Sequence, residues 1–225
     1  MKLTKLLVIP VLFATAALSA QQTTYNYSDG QIGAIYSKKA ASQPAQGSQY
    51  YNEKFLPAKV DDANEVSMVR YNAYSDEIEV QVNDEILVLQ PKDNQTVKLS
   101  GDKGIYKYVQ FTNKENVSSQ RYLIPVSENA KVNIYKKENI YLQPEEHPTS
   151  GYGSYKAPMY KKKDLEYYIQ LNNGDIVYMS TKKKDVATII PGKEKEIKAF
   201  IKENKIDTEE DEDLKTLGAY LNSLL

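Results

Sequence analysis

Apolar and polar positions alternate in short runs along the middle of this chain, and the alternation predicts strands joined by small turns. Ile78, Val80 and Val82 alternate with Glu79 and Gln81; after Asn83-Asp84 the chain resumes with Ile86-Leu87-Val88-Leu89 before Pro91, which reads as a hairpin. Val97 and Leu99 lead into Gly101-Asp102-Lys103-Gly104. Beyond that turn Ile105, Lys107, Val109 and Phe111 share one face, while Tyr106, Tyr108 and Gln110 share the other. Tyr122-Leu123-Ile124, Val132 to Tyr135 and Ile140-Tyr141-Leu142 predict further strands. Tyr167 to Leu171 and Asp175 to Met179 flank Asn172-Asn173-Gly174, a turn built from residues that tolerate positive φ. Glu77, Glu79 and Glu85 alternate with apolar neighbours and read as a solvated strand face.

The period changes near Thr181. Lys182 to Ile190 predicts a short helix ended by Pro191-Gly192, and Lys193 to Asn204 puts Ile197, Phe200 and Ile201 on one stripe. A last helix reads as starting at Thr208, a plausible N-cap with Asp211 three residues on, and lines up Leu214, Leu217, Tyr220, Leu221 and Leu224. Acids from Glu209 to Asp213 suit its first turn, where the helix dipole favours negative charge. The predicted fold class is α+β: an antiparallel, curled or barrel-like β-meander over 50–180, followed by two or three helices over 181–225 packed on the sheet. Residues 21–49, rich in Gln, Ser and Ala, read as a flexible arm. The Pro- and Gly-containing stretch Gln143 to Lys163 reads as one long irregular loop, the first place to expect a binding site.

The first twenty residues have the layout of a secretory signal. Lys2 and Lys5 precede the apolar run Leu6 to Leu18, and Ala17, Ser19 and Ala20 supply small residues for cleavage. The run falls short of the roughly 20 residues a spanning helix needs. The expectation is export to the periplasm or beyond, with no membrane span after cleavage. With two of the 29 basic residues removed, 27 remain against 30 acids, a net charge of −3 that predicts no general affinity for nucleic acid or anionic lipid. The absence of cysteine excludes disulfides, thiolate metal sites, cysteine nucleophiles and a lipid-modified cysteine anchor.

Chemistry is sparse. The single histidine, His147, sits between Glu146 and Pro148, and neighbouring residues in an extended loop cannot converge on one metal ion. No Gly-x-Ser-x-Gly elbow and no phosphate-binding glycine loop occur, so neither a metal nor a cofactor is implied. Nineteen tyrosines stand against four phenylalanines and no tryptophan, which suits a sheet with a wet face. Tyr152, Tyr155, Lys156, Tyr160 and Lys161 are the candidate ligand-binding residues, a basic and aromatic patch able to engage a glycan or peptide by stacking and charge.

Two stretches, Gly47-Ser48-Gln49-Tyr50-Tyr51-Asn52-Glu53-Lys54-Phe55 and Val69 to Val80, together with the tail from Lys182 to Leu221, resemble exported proteins of the Bacteroidetes to which no activity is assigned. The resemblance implies a bacterial envelope location and no site residues. The expected function is a non-enzymatic envelope module binding a protein, peptide or glycan. The alternative is a small polysaccharide or cell-wall hydrolase using paired carboxylates.

Overall fold

The computed structural model describes residues 44–101, 103–148 and 154–225, with the strand backbone of 24–25 and 36–38. Eight strands form the first half: β1 (Thr24–Tyr25), β2 (Tyr36–Lys38), β3 (Leu56–Val60), β4 (Ser67–Asn72), β5 (Glu77–Val82), β6 (Glu85–Leu89), β7 (Thr96–Leu99) and β8 (Ile105–Thr112). They pair in the order β1-β2-β6-β5-β4-β3-β7-β8, each contact antiparallel. The expected hairpin of β5 and β6 is present: Val82 pairs with Glu85, and Asn83 takes the positive φ that a two-residue turn requires. The alternating apolar side chains of these strands, Val69, Tyr71, Ile78, Val80 and Val97 among them, bury one concave face as a first core.

The second half is a barrel. β9 (Ser118–Glu128), β10 (Val132–Lys137), β13 (Glu166–Leu171) and β14 (Ile176–Met179) join β8 in the cyclic order β8-β9-β10-β13-β14. The cycle closes where Val177 of β14 pairs in parallel with Thr112 of β8. Phe111, Leu123, Tyr135, Tyr168 and Ile176 form one small core within it. The opposite faces of β10 and β13 carry Val132, Ile134, Tyr167 and Ile169 against the helices α1 (Lys183–Val186), α2 (Glu194–Glu203) and α3 (Asp211–Ser223). Ile197, Ile201, Leu214, Leu217 and Leu221 supply the helical side of that third core. The α+β architecture is therefore as the pattern predicts, a barrel-like sheet with C-terminal helices.

Several local details differ. The first helix stops at Val186, and turns lead from there to Pro191. Thr208 does not cap α3: its hydroxyl donates to the Thr181 carbonyl, Glu210 occupies the cap position without a side-chain bond, and Asp213 instead accepts the Asp207 amide at 2.7 Å. A tertiary partner offered Thr208 a buried carbonyl, which displaced the local bond. The two ends of the stretch Gln143 to Lys163 pair with each other, while its other described residues are irregular. β11 (Ile140–Gln143) pairs with β12 (Met159–Lys162), and Glu146 and Lys156 extend the ladder. Of the span 21–49, β1 and β2 join the sheet edge, and 44–49 is held by main-chain bonds from Gln46 to Pro158 and from Tyr160 to Gln46.

Candidate functional site

The sequence-derived patch does not stay together. Tyr152 lies outside the described residues. Tyr155 and Lys156 sit on the hairpin extension, where Tyr155 donates to Glu145 at 2.9 Å and Lys156 to Glu146 at 2.7 Å. Lys161 is exposed on β12 opposite Tyr141. Tyr160 is pulled inward into the first core; its ring meets Tyr74 edge-on at 5.0 Å, and its hydroxyl accepts a bond from Gln49 at 2.6 Å. The two-residue strand period explains the split, since Tyr160 and Lys161 must face opposite ways.

Gln49 belongs to a buried polar chain that periodicity misassigned. Glu79, read as solvated, has no exposed surface. Its carboxylate accepts two bonds from Arg70, both at 2.8 Å, one from the Asn72 amide at 2.9 Å and one from the Tyr50 hydroxyl at 3.0 Å. Asn72 also donates to Gln49 at 2.9 Å, and the Arg70 guanidinium lies over the rings of Tyr50 and Phe55. Residues 49–55 thus cover the face that the strand pattern leaves outward. Gly47 runs so close to Tyr160 that a Cβ would fall 2.6 Å from its carbonyl oxygen. The cleft beside this network, about 410 Å³, is bounded by the same clamp.

A second charged cluster joins the two halves. Asp76, in the β4–β5 turn, accepts the Tyr71 hydroxyl at 2.7 Å, while its other oxygen is buried without a hydrogen bond, 3.8 Å from Arg121. Burial pushes its carboxyl up to about 6, against the pull of Tyr71, Lys137 and Arg121. Burial likewise lowers Lys137 and raises Glu138. Among the described residues, neither Asp76 nor Glu138 lines that cleft or either of two larger cavities.

The largest of those cavities, about 650 Å³, marks a break in the pairing of β8. The first half of that strand pairs with β7, ending in reciprocal bonds between Tyr108 and the 94–95 backbone, and its last residue pairs with β14. Between them the edge of Val109 to Phe111 is uncovered. Alternation directs the Gln110 N–H and C=O into this gap. Amides and hydroxyls dominate its wall: Asn94, Gln110, Gln170, Thr96, Thr112, Ser118 and Tyr135. Gln170 is oriented by bonds with Asn133 at 3.1 Å and the Gly174 carbonyl at 2.9 Å, and Tyr135 donates to it at 3.3 Å. The charged lining groups among the described residues are Asp175 and Lys107, the latter paired with Glu128. Its volume falls within the roughly 300 to 1,000 Å³ usual for small-ligand sites. No sequence signal marked it, because it arises where two distant strands fail to meet along β8.

Among the described residues no group of three or more acids or histidines gathers as a metal site, and no helix is long and apolar enough to cross a membrane. No family model matches the chain, and no curated protein or solved structure matches it either.

Proposed function

We propose that this chain is an exported, non-enzymatic envelope module of the Bacteroidetes type that binds a neutral glycan in the cavity along β8. The observation that carries the reading is the make-up of the wall. Three side-chain amides, four hydroxyls and a free stretch of strand edge can both donate and accept, which is what sugar hydroxyls require. A wall of that kind orients a ligand but offers little to transfer a proton, since it combines one aspartate with a lysine already engaged by Glu128. Export is supported by the charged, apolar and small-residue segments of the first twenty residues.

Calorimetric titration with neutral oligosaccharides released from bacterial envelopes tests the binding. Wild type should bind at least one of them, and Thr96→Tyr, which fills the cavity from a strand position that accepts aromatic residues, should abolish it. A folded Thr96→Tyr protein that binds as wild type does would overturn the site. The mass of the protein recovered from the producing cell tests export, with cleavage expected after Ala20.

A further inference from the structure

We propose that the outer edge of β14 docks an extended peptide of a partner protein, one carrying apolar side chains beside a lysine or arginine. The groove shares Asp175 with the β8 cavity, but the proposal does not rest on the glycan reading. β14 is paired with β13 at four positions, but on its other side β8 reaches it only at Val177. A groove of about 510 Å³ runs beside it. Val177 to Ser180 line that groove together with Ile169 and Leu171 of β13, so it covers the helix-facing side of the β13–β14 hairpin and reaches the strand edge left unpaired beyond Val177. Its far wall is Val186 and Ile189, from α1 and the turn beyond it.

Two properties of the edge match a peptide strand. Val177 and Tyr178 are 40% and 37% exposed although both are apolar or aromatic. An added strand would extend the sheet by main-chain bonds and cover them, placing alternate side chains in the groove. The ionisable carboxylates of the wall are Asp175 and Asp185, and no basic residue lines it among those described. Asp185 is held in place by the Ser180 hydroxyl at 2.8 Å. That charge selects a cationic partner and disfavours a second copy, which in a symmetric pair would bring four carboxylates into one interface.

The probe is a fluorescein-labelled heptapeptide of alternating valine and threonine with a central lysine, compared by anisotropy with its glutamate counterpart. The lysine peptide should bind at least tenfold more tightly. Asp185→Asn, which keeps an oxygen for Ser180, should remove most of that preference, and Thr188→Trp should block both peptides by filling the groove. Thr96→Tyr should leave peptide binding unchanged, so that failure here and failure of the glycan site are separable. Equal binding of the two peptides would overturn the proposal, as would a Kd above about 1 mM for the lysine form. Dimerisation of the free protein that Val177→Lys abolishes would overturn it in favour of self-pairing.

Discussion

Glu79 is a carboxylate without solvent contact, and its ionic form is sustained by Arg70, Asn72 and Tyr50. Taking out one member of such a set leaves the others buried and uncompensated. Glu79→Ala should therefore lower stability by about 3 to 5 kcal/mol, measured by urea unfolding, well beyond the cost of an exposed ion pair. Asp76 acts in the opposite sense, because burial makes its charge costly. Its carboxyl titrates at about 6 in the folded chain against an ordinary 3.8, so between those values the folded state holds a proton that the unfolded state has released. That contribution is complete below about pH 3.8 and is lost as pH rises through about 6; a span of about two pH units corresponds to about 3 kcal/mol. Unfolding free energies of wild type and Asp76→Asn at pH 4 and pH 7 should differ accordingly, the variant lacking that much of the loss on going to pH 7. Parallel pH curves would mean that Asp76 titrates as it does in the unfolded chain.

At the level of elements, α3 rests on β9 through a position where any side chain is too much. A Cβ on Gly218 would lie 2.3 Å from the Ser127 hydroxyl and 2.9 Å from its Cβ. In an exposed helix, glycine to alanine is worth about 1 kcal/mol of stabilisation. Here Gly218→Ala should instead destabilise by about 1 to 3 kcal/mol in chemical denaturation, because helix and strand must separate. The hairpin of β13 and β14 makes a local counterpart. Asn172 and Asn173 both take positive φ, whereas Gly174 does not. Asn173→Val should thus cost about 1 to 2 kcal/mol by the same measurement, while Asn173→Gly should be close to neutral. These turns were legible in the sequence because their chemistry is local. The same holds for the stripe Leu214, Leu217 and Leu221, whose spacing fixes one face of a helix. What periodicity could not supply is which surface a distant segment covers. It gave Glu79 to solvent, left Tyr160 in an exposed patch and missed the strand at 159–162 inside the long loop, and each miss falls where residues 44–55 or a ladder partner arrive from elsewhere. A barrel-like sheet was legible, but not the strands that close it, since Thr112 and Val177 lie far apart in the chain and meet in a parallel pairing that no turn announces.

At the scale of the molecule, the β8–β9 hairpin belongs to both halves. One of its faces sends Tyr106, Tyr108 and Tyr122 into the first core, and the other sends Phe111 and Leu123 into the barrel. Rings of Tyr71, Tyr106, Tyr108 and Tyr122 contact one another at 4.9 to 6.1 Å across that joint. Tyrosine is suited to the place because its ring fills volume while its hydroxyl can take a polar partner, as that of Tyr71 does with Asp76. Tyr122 donates at 2.8 Å to Gln95, itself 1% exposed. A shared two-faced hairpin makes the halves one cooperative unit, since neither core persists once those strands leave. Tyr122→Phe orphans the Gln95 oxygen and should cost about 1 to 3 kcal/mol. Native-state hydrogen exchange reads how far that loss spreads. Amides of Val69 and Tyr71 in β4 should lose protection by the same free energy as those of Leu217 and Leu221 in α3, although α3 makes no contribution to the core that Tyr122 fills. If α3 kept its wild-type protection while β4 lost its own, the two halves would unfold separately, and the β8 break that forms the proposed glycan site would be a joint between independent units.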